Sequence, residues 1–194
     1  MSALQQLYAM LGNNENVLWS GRPNLKCFLL EAIFNPLLPF ALLWALFDGF
    51  FIAMLFFADN GQAVAKFPLA HWGILAFFSL HLMPVWIYLG GVLFSYLKYK
   101  HTAFLVTDKN VYISGGIFSI TYTQKPFAEI SYVNLHRGMV DQFLGVGDIV
   151  LSNPQENRYA GRSRNLLTPG PLAICDIPDY QEVYTLIKDQ VQHH

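Results

Sequence analysis

Asp48 and His81 are the ionisable residues whose surroundings make them chemically interesting, because each lies inside a long apolar run. An ionisable group at membrane depth is costly and is a functional candidate by default. If Phe57 faces Pro68 across a helical hairpin, Asp48 falls level with Phe77 and His81 is one helical turn away, within side-chain reach. Such a pair can fix how two helices pack, or it can relay a proton in an oligomer. One carboxylate and one imidazole are too few for a metal at that depth. His71 falls near the outer interface and needs no special account. A second constellation is Arg158, Arg162 and Arg164, with no acidic residue between Asn157 and Cys175. Three guanidinium groups there could meet anionic lipid headgroups, each worth about 1 kcal/mol near a membrane surface. The alternative is a solvated loop. The stretch has few aromatics for base stacking, which disfavours nucleic acid.

A third pattern, Gly145-Val146-Gly147-Asp148, has the Gly-x-Gly-Asp signature of intramembrane aspartyl proteases. That chemistry needs two aspartates facing each other inside the bilayer, one of them protonated at neutral pH. Asp148 falls in a strand-rich stretch outside the apolar runs. The glycines are therefore read as a turn into a strand. Cys27 and Cys175 are the only cysteines and are far apart, so they suggest neither a disulfide framework nor a zinc site. They fit a reducing cytosol.

The elements that must position these residues begin with the apolar runs, Ala32–Ala58 and Leu69–Leu97. Each exceeds the roughly 20 residues a helix needs to cross a bilayer, and they predict a transmembrane hairpin. Pro36, Pro39 and Pro84 should kink it. Arg22 and Lys26 precede the first run and Lys98 and Lys100 follow the second, while the connecting loop has Lys66 alone. The positive-inside rule places both termini in the cytoplasm and the connecting loop outside. Of the 194 residues, 54% are apolar and 13% charged, against about 25% charged in a soluble domain. The net charge of −1 argues against nucleic-acid binding.

Around the hairpin (residues 28–100) lie an N-terminal cytoplasmic segment (1–27) and a distal domain (101–194). Leu4, Leu7, Tyr8 and Leu11 form a helical stripe, which lies on the membrane or on the distal domain. Glu15–Pro23 reads as extended. Beyond Lys100 the pattern alternates: strands are predicted at Thr102–Thr107, Val111–Ser114, Ile117–Thr123, Phe127–His136, Asp148–Ser152 and Leu172–Ile177. Gly115-Gly116 reads as a tight turn, Met139–Leu144 as a helical turn and Pro178–Val191 as an amphipathic helix.

Val106-Thr107-Asp108-Lys109-Asn110-Val111-Tyr112-Ile113 with Gly115-Gly116-Ile117-Phe118, the segment Ile130–Leu151, the helix start Ile177–Tyr184 and the upstream Val17–Pro23 resemble the bacterial pleckstrin-homology family, the membrane-flanked domain proteins. The resemblance implies a mixed α+β membrane protein. Its distal part would be a pleckstrin-homology-like sandwich or barrel of seven strands in two antiparallel sheets, capped by the C-terminal helix. Six strands are legible, and the seventh would fall within Pro154–Gly170. The resemblance supplies no catalytic residues, cofactor or metal. It implies a non-enzymatic scaffold whose partners are membrane lipids and a protein, with oligomerisation open. Asp108-Lys109-Asn110, where eukaryotic relatives carry a basic hairpin, has one lysine beside one aspartate, which weakens phosphoinositide recognition.

Overall fold

Burial along the whole of Ala103–Thr107 decides how the strand-rich part is layered. The computed structural model describes residues 2–57, 68–153 and 172–193. In it Ala103–Thr107 (β2) is buried along its whole length. Successive side chains of a strand point to opposite faces, so a strand buried throughout must be covered on both. Phe104 and Val106 enter the main core, while Ala103 and Leu105 meet Ala3 and Leu7 of helix α1 (Ala3–Ala9). The Leu4–Leu11 stripe thus lies on the sheet. Ser2 starts α1 with a capping box: its hydroxyl accepts from Gln5 N and its own N–H donates to Gln5 Oε1.

Residues 1–31 and 95–194 make one unit, and residues 32–94 a second. The first unit holds two antiparallel sheets. One is ordered β1 (Val17–Gly21), β2, β3 (Asn110–Gly116), β4 (Ile120–Pro126). The other is ordered β5 (Tyr132–His136), β6 (Gly147–Ser152), β7 (Leu172–Ile177). Phe104, Val106 and Val111 from the first sheet meet Ile149, Leu151, Ile174 and Ile177 from the second and Val183 and Ile187 from the last helix, Tyr180–His193. Each such side chain contributes about 1.5–3 kcal/mol by leaving water.

Three expectations change. Among the described residues the seventh strand is β1, from upstream of the apolar runs, paired antiparallel with β2. Its extended character was visible, but its partner begins 86 residues after Val17. Pro154–Gly170 lies outside the described residues. The turn after β3 falls at residues 117–119 because β3 runs on through Gly116. Gly116 has φ 137°, and a Cβ there would sit 1.9 Å from Ser119 O. Phe118 is consequently on the turn, 88% exposed, rather than on a strand face. Phe127–His136 is not one strand: Phe127–Glu129 is a 3-10 turn that carries the chain from one sheet to the other.

The apolar runs, which make up most of the second unit, are also more broken than expected. The first run divides at Pro36, which disfavours helix at the residue before it. Helix α2 (Leu25–Ile33) ends there and α3 (Leu37–Phe57) begins, started by Asn35, whose Oδ1 accepts from Leu37 N at 2.8 Å. The second run is two helices, α4 (Pro68–His81) and α5 (Met83–His101), bent by 56° at a break beside Pro84. Backbone carbonyls exposed at these breaks find side-chain donors: Tyr88 Oη donates to Ile33 O, Trp86 Nε1 to Ser79 O and Trp44 Nε1 to His81 O. Such pairing is what a hydrocarbon setting requires. Among the described residues one helix, α3, is long and apolar enough to cross a membrane, and there are two such candidates if the bent α4–α5 pair counts as one span.

Candidate functional site

The fold gathers a cluster of ionisable groups in the first unit that no local pattern announces. Cys27 and Glu31 are one turn apart on α2. Asp141 lies in the first turn of helix α6 (Met139–Leu144), where its Oδ2 accepts the Gly138 N–H at 2.7 Å. Its other oxygen accepts from the buried Cys27 thiol at 3.1 Å. Asp176 completes the group from β7. One ligand atom from each of Cys27, Glu31, Asp141 and Asp176 lies within 4.8 Å of the others.

Asp176 is held by its backbone. It is the one non-glycine among the described residues with positive φ, 57°, a conformation that Asp tolerates better than most. The β6–β7 register shifts between Gly147 and Ile149, opposite this position. Asp176 N donates to Asp148 Oδ1 at 2.7 Å, and Asp176 O accepts from Asn24 N at 2.8 Å. Asn24 Oδ1 in turn accepts from Lys26 N and Cys27 N, so the strained residue anchors the first turn of α2. Bulges and strained residues of this kind collect at functional sites.

Electrostatics in the cluster follow from burial. Burial pushes the Asp176 carboxyl up to about 7, with the charges of Glu31, Asp148 and Asp141 adding to the rise. Glu31 is raised by desolvation and then by Asp141, and Asp148 by burial. The Cys27 thiol is pushed up by burial and by its bond to Asp141. Cys175 is pushed up to about 12, again chiefly by burial.

Gly145-Val146-Gly147-Asp148 is the exit of α6 into β6. Gly145 ends the helix in the left-handed region at φ 69°. Gly147 lets Tyr180 pack close, since a Cβ there would lie 2.9 Å from Tyr180 Cγ. Asp148 belongs to the strand-rich unit, where its carboxylate accepts the Asp176 N–H and lies 3.9 Å from His136 Nδ1.

The second unit brings Asp48 and His81 together. Asp48 Oδ1 and His81 Nδ1 are 2.7 Å apart, and the imidazole stacks on Trp44 and Phe77. Asp48 is 1% exposed, and its Oδ2 is buried with no hydrogen-bond partner. Arg158, Arg162 and Arg164 lie outside the described residues.

The last helix, α7 (Tyr180–His193), leaves a groove beside β5. The groove has a volume of about 300 Å³ and is lined by Tyr132, Val133 and Asn134 on one side and Tyr184, Lys188 and Val191 on the other. β5 pairs with β6 and stands at the edge of its sheet, with no further strand beside it among the described residues.

Two antiparallel sheets of four and three strands, closed by a C-terminal helix and with apolar helices inserted between β1 and β2, have the layout of a membrane-flanked domain. The chain belongs to the bacterial PH domain family, whose sequence profile matches residues 38–191. No curated protein and no solved structure matches the chain.

Proposed function

We propose that this chain is a non-enzymatic binding module held at the bacterial cytoplasmic membrane, with both termini in the cytoplasm, and that its occupant is an extended segment of a partner protein. The observation that carries this reading is the edge of β5 beside α7. An extended peptide laid along an open sheet edge gains main-chain hydrogen bonds, and pockets for alternate side chains give it specificity. Here the groove offers both. Tyr184 and Val191 supply apolar wall, and Lys188 supplies a cation for an acidic or carbonyl group. The apolar helices supply attachment, so the domain itself needs no strong lipid affinity.

The test is photo-crosslinking in cells from the full-length chain, with the reactive residue at Asn134 or at Lys188. The expected result is the same protein captured from both positions, and loss of the Asn134 adduct when Lys188→Glu is added. Adducts to lipid alone would overturn the reading and favour headgroup recognition through Arg158, Arg162 and Arg164.

A further inference from the structure

We propose that Cys27, Glu31, Asp141 and Asp176 form a binding site for one zinc ion, or a divalent cation of similar softness. Two independent observations meet here. The first is the convergence of four potential ligand atoms within 4.8 Å, contributed by α2, α6 and β7. The second is Asp176 Oδ1: the residue is 2% exposed, the atom is buried, and it has no hydrogen-bond partner. A buried carboxylate oxygen without a donor is expensive, and its carboxylate faces the other three groups. A cation supplies the missing partner.

Charge points the same way. Asp141 is fully buried, yet among the described residues no Lys or Arg forms an ion pair with Asp141, Asp176 or Glu31. The nearby Arg137 is spent on backbone, donating from Nε to Val146 O at 2.9 Å and from Nη2 to Asp141 O at 3.4 Å, with its guanidinium over the Tyr180 ring. Buried charges are normally paired or bind metal.

The donor set selects the ion. Calcium and magnesium take all-oxygen shells, whereas a sulfur donor favours zinc and its neighbours. Four ligands match tetrahedral zinc, with Zn–S about 2.3 Å and Zn–O about 2.0–2.2 Å. These lengths place neighbouring ligand atoms about 3.5 Å apart, so on binding the wider pairs close toward that spacing and the Cys27 Sγ–Asp141 Oδ1 pair, now at 3.1 Å, opens slightly. Glu31 is exposed and provides the entry side, while the other three are buried. Asp148 orients the site from behind through its bond to Asp176 N. On binding, the Cys27 proton now donated to Asp141 is released to solvent, and the thiolate takes its place on the ion.

The full-length chain in detergent, freed of metal by chelator, is titrated with Co²⁺ and then with Zn²⁺. One equivalent of Co²⁺ should give a thiolate charge-transfer band and tetrahedral d–d absorption, both removed by Zn²⁺. Cys27→Ser should abolish the charge-transfer band and Cys175→Ser should retain it. Asp176→Asn should weaken binding by more than about tenfold, and so should Glu31→Gln, whose exposed position keeps folding out of the comparison. The metal-free melting temperature of each variant checks the fold. Absence of the band, a band that follows Cys175 instead of Cys27, or wild-type affinity in Glu31→Gln and Asp176→Asn would each overturn the site. A melting temperature raised by Ca²⁺ and not by Zn²⁺ would overturn the choice of ion.

Discussion

Glu15 precedes the apolar helices, yet it closes a turn that follows them. Its carboxylate accepts from Thr107 Oγ1 at 3.1 Å, Asn110 Nδ2 at 2.9 Å and Tyr112 Oη at 3.0 and 2.9 Å. Glu15→Ala takes that acceptor from Asn110 Nδ2 and Tyr112 Oη, while Thr107 Oγ1 keeps Asn110 O at 3.1 Å, and should cost about 1–3 kcal/mol in unfolding free energy, measured by denaturant titration. Tyr112 carries the pH consequence. Burial, and then its bond to Glu15, push the phenol from 10.0 up to about 12. Between those values the unfolded chain has lost the proton that the folded chain keeps. Stability is therefore full below pH 10 and falls as pH rises toward 12. Melting temperatures across that range should show the fall, and Tyr112→Phe should remove its steepest part. In the second unit, Asp48→Asn tests whether the pair with His81 only fixes packing. Interhelical hydrogen bonds in membranes average about 0.6 kcal/mol, so stability should drop slightly and cellular function should persist. Lost function at normal membrane level would establish a proton-linked role. Asp48 and His81 could be matched from the sequence because helical rise converts residue number into depth. Cys27, Asp141 and Asp176 could not, because Cys27 and Asp141 lie 114 residues apart and the left-handed backbone of Asp176 has no local signature.

At the scale of elements, periodicity was readable and partnership was not. The stripe in α1, the unbroken apolar run of β2 and the apolar face of α7 are all local patterns, and each formed the element its pattern implies. What lay beyond the sequence was which elements meet. β2 looks like a strand from its own residues, but nothing local says that β1 and α1, made long before it, cover its edge and its outer face. Pro36 and Pro84 were visible as kinks, whereas complete breaks depend on indole and phenol donors reaching the freed carbonyls. Leu7 is fully buried against Ala103, Leu105 and Tyr112, so Leu7→Ala should cost about 2–5 kcal/mol. A fragment spanning Lys98–Val191 lacks both α1 and β1. It should not give a cooperative thermal transition, and fusing Ser2–Gly21 in front of it through a flexible linker should restore one, followed by circular dichroism.

Across the whole molecule, the proposed placement is tested by accessibility. A cysteine introduced at Gly61, in a chain freed of its own cysteines, should react with a membrane-impermeant thiol reagent in intact cells. One introduced at Asn165 should react only after the membrane is opened. The reverse pattern would remove the cytoplasmic domain and the partner assigned to it. The apolar helices were legible because apolar length is a one-dimensional property. The binding groove was not, because it exists only where β5 and α7 lie side by side.

The pairing of β1 with β2 also constrains parity. Val17–Gly21 is synthesised before the apolar helices and Ala103–Thr107 after them, yet the two strands share hydrogen bonds in one sheet. Any membrane crossed between them must be crossed an even number of times, whatever the flanking charges say. A lone crossing by α3 would strand the two halves of the sheet on opposite sides of the bilayer. The bent α4–α5 pair must therefore return the chain whenever α3 carries it across. On any such path the first sheet can be completed only after the chain has returned, because β2 is made after the apolar helices and β1 before them.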